Sequence, residues 1–408
     1  METAPVERHG LVSLLRAHAG FRTLWTARVV SFTGDSLSLV ALMLHVADTT
    51  GQAIAVAVLL LVGDFVPSLL GPVSGALSDR FDLRRIMLVC ELVQCVVIAL
   101  IALSLPPLPL LLVLVGVRAI AGQVFQPASR SAVPALVPDR HLGPANSALG
   151  LGTNGAEAAG PLIAAALFPL IGVRGVLLVD AATFLVSALV LTRLRRLPPT
   201  ETERPSLLAD ARTGLRYVFA TPVVRVVVIG FCLVVAFNGV DDVALVLLAT
   251  ETFDAGGSAV ALLLAGVGVG LFVGYALLGR LGTGRSMAVL LVLGFAVNSL
   301  GNLLTGLAWA VAAAIALQTV RGLGIAAMDV ASNTMLQRLV PSGMLGRVFG
   351  NLYGVVGVAA AASYVGGGLL LDATSAPLTL VIAGAGGTLV AAVTAVALLR
   401  RRGTRREG

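Results

Sequence analysis

Charged side chains set inside long apolar runs are the residues of this sequence best placed to do chemistry. Asp35 lies in "SFTGDSLSLV" with Arg28 two helical turns before it on the same face, Arg118 in "LVGVRAIAG" and Glu157 in "GAEAAGPLIAA". The second half repeats the theme with Asp241 and Asp242 in "NGVDDVALV", Arg321 in "QTVRGLG" and Asp329 in "AAMDVAS". An ion within a bilayer costs about 2.5–3.5 kcal/mol on insertion scales, so each needs a partner, a cavity or a function. A carboxylate there can exchange a proton, because desolvation favours its neutral form and a neighbouring guanidinium its charged form. Asp241 and Asp242 point about 100° apart on a helix, so only one of them can face a central path squarely. Asp64 either pairs with Arg28 or lines the same path, Glu91 is read as structural, and Asp180 as close enough to the surface to be hydrated.

The elements that must hold these charges follow from composition. Of 408 residues 57% are hydrophobic and 12% charged, against roughly 25% charged in a soluble domain. The chain is read as an integral membrane protein. Taking about 20 apolar residues per helical span, candidates fall near 23–47, 53–78, 86–105, 110–130, 143–168 and 174–192, then 223–248, 258–279, 286–306, 309–332, 349–371 and 377–399. These runs are continuous and Ala/Leu-rich instead of alternating, which predicts an all-α protein of twelve transmembrane helices and not a β-barrel.

All 28 basic residues are arginine, and their placement fixes an orientation. Arg8, Arg16 and Arg22 precede the first span. Arg80, Arg84 and Arg85 follow the second, and every later even-numbered span also exits into arginines, whereas the opposite connections hold Asp48, Glu251, Asp254 and Asp372 against Arg174. Short cytoplasmic loops retain basic residues, so both termini are expected in the cytoplasm and the first span to serve as targeting signal. The arginines are spread over one membrane face, where anionic headgroups neutralise them. That argues for the lipid bilayer as partner and against nucleic acid. Cys90, Cys95 and Cys232 lie inside apolar runs, no Cys/His spacing suits a metal, and no Walker-type loop is present. No metal, cofactor or enzymatic activity is expected.

The one long polar connection, near 193–222, separates six spans (1–192) from six (223–408 with the arginine-rich tail) and contains "LLADARTGLRYVF", an amphipathic surface helix. The halves repeat. "VRAIAGQVFQPASRSAVPALVPDRHLG" at 117–143 lies without a gap over "VRGLGIAAMDVASNTMLQRLVPSGMLG" at 320–346, with nine identities, so that Arg118 matches Arg321. "SFTGD" at 31–35 is echoed by "AFNGVDD" at 236–242. Two pseudo-symmetric six-helix bundles with a site between them at mid-membrane is the architecture of a secondary transporter. "GVGVGLFVG" at 266–274 signals close helix packing.

On further residues the chain resembles the major facilitator superfamily over essentially its whole length. Gly75, Asp79, Arg80, Arg84 and Arg85 match its G-x-x-x-D-R-x-x-x-R-R loop, Arg118 and Gly122 its R-x-x-x-G element, and Gly155, Gly160 and Pro161 approximate the glycine-proline element of exporters. "FQPASRSAVPALVPDRHLGPANS" and "DAATFLVSALVL" are similar to the branch of macrolide-efflux proteins and the enterobactin exporter. The resemblance implies that the loop is a conformational latch, with Asp79 accepting from backbone N–H groups near Gly350 and Asn351; the alternative is that these charges only enforce topology. It also implies that helices one, four, seven and ten line the path, so that Asp35 faces Arg118, and Asp241 or Asp242 faces Arg321, near Asp329. Asp35, Glu157, Asp241 and Asp242 are then the proton-coupling candidates, with Arg28, Arg118, Arg321 and Asp329 as charge partners, unless the pairs are permanent ties between helices. The implied function is proton-coupled efflux of a moderately hydrophobic small molecule from a bacterial inner membrane by a protein functional as a monomer. A coupled importer of a small metabolite and a non-transporting sensor or scaffold are the alternatives.

Overall fold

A computed structural model describes residues 11–199, 207–255, 257–281 and 286–403. Among them there is no β-strand. The helices are α1 (Leu11–Ala17), α2 (Ala19–Thr50), α3 (Ala53–Leu60), α4 (Val66–Ser68), α5 (Gly71–Arg80), α6 (Leu83–Ser104), α7 (Leu108–Leu136) and α8 (Leu142–Leu191), then α9 (Leu207–Ala220), α10 (Pro222–Asn238), α11 (Asp241–Leu247), α12 (Gly257–Leu281), α13 (Met287–Gly306), α14 (Val311–Leu339), α15 (Leu345–Ala373) and α16 (Ala376–Gly403).

Ten helices among the described residues are long and apolar enough to cross a membrane, eleven if the bent pair Val58–Ser68 and Gly71–Arg80 counts as one span. The count of twelve is not reached by that criterion, because only Ala166–Leu191 of α8 passes it; the runs expected at 143–168 and 174–192 form one helical stretch, α8, broken only at Gly172. There φ is +62°, a conformation that glycine adopts without steric penalty. The contacts show that the chain doubles back at this point. On the first arm Trp25 donates to Ala148 O at 2.7 Å, and Gly152 and Gly160 lie against Val29 and Ser36, so the arm ascends with α2; on the second, Thr183 then Asp180 meet Gly34 and Ser38 in the opposite order.

The second and seventh spans are also interrupted. Pro67 and Pro72 flank a bend of 51° between α4 and α5, since proline cannot donate to the helical ladder. A π-turn, Leu61–Phe65, precedes them and another, Leu248–Thr252, follows α11. Such breaks are tolerated in hydrocarbon where the freed backbone groups are buried in protein or line a cavity.

Each half has its own apolar interior. Phe21, Leu24, Met87, Val133 and Leu149 pack at the arginine-rich end of the first half, and Leu37, Leu42, Ile98 and Phe184 towards the other. In the second half Val227, Leu291, Phe295 and Phe349 form the corresponding cluster, with Leu245, Leu263 and Leu380 beyond it. The expected close approach at 266–274 is present: a Cβ on Gly270 would stand 1.9 Å from Thr319 O, and Gly274 abuts Ala326, so α12 rides directly on α14. The linker helix α9 seats at the basic end, with Gly214 against Arg347 and Asn351 of α15. Asp180 departs from expectation, being completely buried, because Gly34 lets the second arm of α8 sink against α2.

Candidate functional site

Asp35 on α2 and Arg118 on α7 form an ion pair at the wall of a cavity of about 490 Å³. The side chains are 28% and 14% exposed, so the pair is open to the cavity. Arg28 lines the same space one step deeper, but its guanidinium is committed to α7: it donates to Ser129 and, at 3.0 Å, to Gln126 Oε1. Phe32, Phe125, Gln94, Gln123 and Glu157 complete a lining that mixes aromatic faces with amides and charges. The side chains of Asp64 and Asp242 lie outside the described residues.

The second half reproduces the pair. Arg321 on α14 binds Asp241 at the start of α11, and both side chains are only 7% exposed. Arg321 also donates to Asn298 Oδ1 and Gln318 Oε1 at 3.0 Å each. From Gln318 the hydrogen bonds continue to Thr305 (3.0 Å) and Asn302 (3.3 Å), and from Asn302 to Asn238 (3.0 Å). The first pair faces a cavity, whereas the second is one knot in a buried lattice of neutral amides.

Asp329 does not join Arg321. Eight residues on along α14, it turns to the other half of the molecule and pairs with Arg130 of α7 at 3.8 Å. Tyr275 and Asn333 donate to it at 3.2 and 2.8 Å. Around this pair Asn146 of α8 donates to Gln337 (2.6 Å) and Thr334 (3.1 Å), Gln337 donates to Arg130 O (3.0 Å), and Arg338 reaches Asp139 (2.9 Å). Several polar side chains here were not singled out in the sequence. The available signal was the i, i+4 stripe Asp329, Asn333, Gln337, which lines one helical face.

Farther out at the same end, Asp79 accepts from Gly346 N at 2.7 Å and from Arg347 N and Nε at 3.0 Å each. The acceptor sits at the N-terminus of α15, where unpaired N–H groups and the helix dipole favour an anion. The expected partners, Gly350 and Asn351, lie one turn too far along. They are displaced because α15 begins at Leu345, and Gly350 is used for packing instead: a Cβ on it would stand 2.2 Å from Gly71 O, as one on Gly75 would from Gly346 O. Arg84 caps the end of α8 through Leu191 O (3.3 Å) and Thr192 O (2.5 Å), and Arg85 N bonds to the N-capping carboxylate of Asp82 (3.1 Å). Arg80 ends α5.

Within the exporter-like element, Gly160 is pressed against Ser36, whereas a Cβ on Gly155 would meet nothing within 4 Å. Gly155 is therefore not a packing glycine in this conformation. Glu157 borders both the main cavity and a recess of about 300 Å³ between α8 and α12, lined by Leu264, Val267, Leu271 and Phe272.

Residues 24–297 match the sequence model of the Major Facilitator Superfamily. The uncharacterized MFS-type transporter YfiS of Bacillus subtilis (strain 168) is 26% identical over 395 residues, covering 91% of each chain. The enterobactin exporter EntS of Escherichia coli O139:H28 is 26% identical over 392 residues, 94% of this chain and 92% of its own. Among solved structures, a bacterial homologue of the iron transporter ferroportin, in its outward-facing state, superposes with a TM-score of 0.79 at 16% identity over 93% of this chain and 99% of its own.

Proposed function

The chain belongs to the major facilitator superfamily, and from that premise we propose that it is a proton-coupled exporter of a moderately hydrophobic small molecule. The observation that carries this reading is the Asp35–Arg118 pair, open to a 490 Å³ cavity, while hydrogen bonds and ion pairs fasten the two halves together at the basic end. With that end in the cytoplasm of a bacterial cell, as the arginine distribution supports, this conformation is outward-facing. Asp35 then meets protons from outside. Protonation dissolves the ion pair, the halves rock, and at the cytoplasmic side the proton leaves as substrate enters.

Three features support the reading, and the first of them favours Asp35 over Asp241 and Asp329 as the proton carrier. Asp35 is paired but open to the cavity, whereas Asp241 is locked among amides and Asp329 is bound at the contact between halves. The cavity's mixture of Phe32 and Phe125 with Gln94, Gln123 and Gln126 suits an amphiphilic guest. The likeness to an enterobactin exporter supports the outward direction.

The test is accumulation of ethidium and of a macrolide such as erythromycin in cells carrying the protein or its Asp35→Asn variant at matched membrane levels, with and without an uncoupler. Lower accumulation, abolished by the uncoupler and by the substitution, is the expected result. Raised accumulation in cells with the wild-type protein would replace export by import.

A further inference from the structure

Asp180, on the second arm of α8, is a buried acid that the exporter cycle so far leaves unused. Its carboxylate accepts from the Ser38 hydroxyl on α2 and from Thr183 at 3.3 Å. It reaches α2 because residue 34 has no side chain: a Cβ there would stand 2.3 Å from Asp180 Oδ1 and 2.0 Å from Thr183 Oγ1. The notch that admits Asp180 is thus immediately beside Asp35. Arg118 stands over the same arm of α8. Its guanidinium carbon is 6.0 Å from the ring centre of Phe184, one turn along from Asp180. While Nη2 of Arg118 holds Asp35, its Nε is buried without a hydrogen-bond partner. One guanidinium holds a carboxylate of α2, stands over the arm of α8 that carries a second, and has a donor to spare.

We propose that Asp180 is a positioning residue of the proton-coupling site, the carboxylate to which Arg118 turns when Asp35 takes up its proton. The inference rests on the reading of Asp35 as proton carrier. A proton from water enters an Asp35 carboxylate oxygen, the hydrogen bond and ion pair to Arg118 break, and the guanidinium donates to Asp180 instead; deprotonation reverses each change, and one proton is the whole balance. Without a second anion, protonation of Asp35 would leave the guanidinium without a counter-charge and its buried Nε without an acceptor, which is costlier than the intact pair. The alternation moves α7 between α2 and the second arm of α8, and so converts a proton into a displacement of helices. The pair in the other half differs: Arg321 shares its guanidinium between Asp241 and the neutral Asn298 and Gln318, an arrangement suited to a fixed tie.

Other ionisable groups face the cluster. Glu91 and Cys95 approach Asp180 from α6, and Glu157 and Arg28 share the cavity with Asp35. Glu91 is completely buried, about one helical turn from Gln94 of the cavity lining.

The test needs no transported substrate. Infrared difference spectra of the purified protein in liposomes, between neutral and acidic pH, report a protonated carboxyl through its C=O band and Arg118 through the part of the arginine band change that Arg118→Gln removes. In the wild type both signals are expected, the carboxyl band disappearing in Asp35→Asn. In Asp180→Asn the carboxyl band should appear only at lower pH, because protonation then leaves Arg118 without an anion, and the Arg118 signal should change in frequency, reporting an unpaired guanidinium instead of a re-paired one. Ser38→Ala, which keeps the carboxylate and frees one of its oxygens, is expected to shrink the Arg118 signal because Arg118 is already drawn towards Asp180 at neutral pH. An Arg118 signal that persists unchanged in both variants overturns the relay while leaving Asp35 as carrier. Absence of any Asp35-dependent carboxyl band in the wild type overturns the carrier reading and the relay with it.

Discussion

The carboxylate of Asp79 holds the backbone N–H and the guanidinium of Arg347 together with the N–H of Gly346, fastening the end of α5 to the first turn of α15. The contact joins the two halves where the basic connections emerge. It couples a side-chain charge to a helix terminus, so its strength depends on that charge more than on shape.

Asp79→Asn preserves the side chain's volume and removes the anion. A loss of about 2 kcal/mol corresponds to a shift of about thirtyfold towards molecules open at the basic end. Spin labels at Arg140 and Arg280, in opposite halves, should report a new longer distance. Gly75→Ala should act alike with Asp79 intact, because its Cβ would stand 2.2 Å from Gly346 O. Unaltered distances in both variants would remove the latch from the mechanism.

The two ion pairs are expected to respond differently to neutralisation. Asp241→Asn leaves Arg321 buried without its anion, at a cost of about 3 kcal/mol and a fall in thermal midpoint of about 5 °C. Asp35→Asn, at a pair open to the cavity, should leave the midpoint nearly unmoved and show its effect in coupling. Thermal unfolding in detergent separates these outcomes, and a further change Arg321→Gln should restore part of what Asp241→Asn loses. Equal losses in the two single variants would contradict the division into a moving and a fixed pair.

Arg130 and Asp329 make a further crossing between halves. Arg130→Gln should speed amide hydrogen exchange along residues 329–337 of α14 by about tenfold, the equivalent of about 1.4 kcal/mol. Adding Asp329→Asn should recover part of the protection, since the second change removes the carboxylate left uncompensated. Additive losses would show that the two side chains act independently.

The pair Asp35–Arg118 was expected because the resemblance implies that helices one, four, seven and ten line the path, and the repeat extended it to Arg321 with either Asp241 or Asp242, of which the structure pairs Asp241. The end of the molecule at which Asp79 acts was legible too, but its register was not: where α15 begins depends on tertiary packing of Gly71 and Gly75 against Gly346 and Gly350. Arg130 was read as one topological arginine among several, since nothing local to it tells that Asp329 will stand opposite. Asp180 was placed near water by counting along an apolar run, and only the Gly34 notch in a different helix reveals its burial. Composition and pattern report what a helix must hide, whereas contacts between halves depend on which faces meet.

Glu157 is expected to act on substrate charge and not on proton coupling. Its carboxylate borders both the main cavity and the apolar recess between α8 and α12, where a lipophilic guest would bring its polar end past it. A unit charge in that partly hydrated position is worth about 1.4 kcal/mol to a cation, hence about tenfold in affinity. Glu157→Gln should therefore raise the KM for ethidium efflux about tenfold, leave that for an uncharged solute unchanged, and keep transport sensitive to an uncoupler. If uncoupler sensitivity disappears instead, Glu157 carries the proton, and the Asp35–Arg118 pair is the permanent tie between α2 and α7.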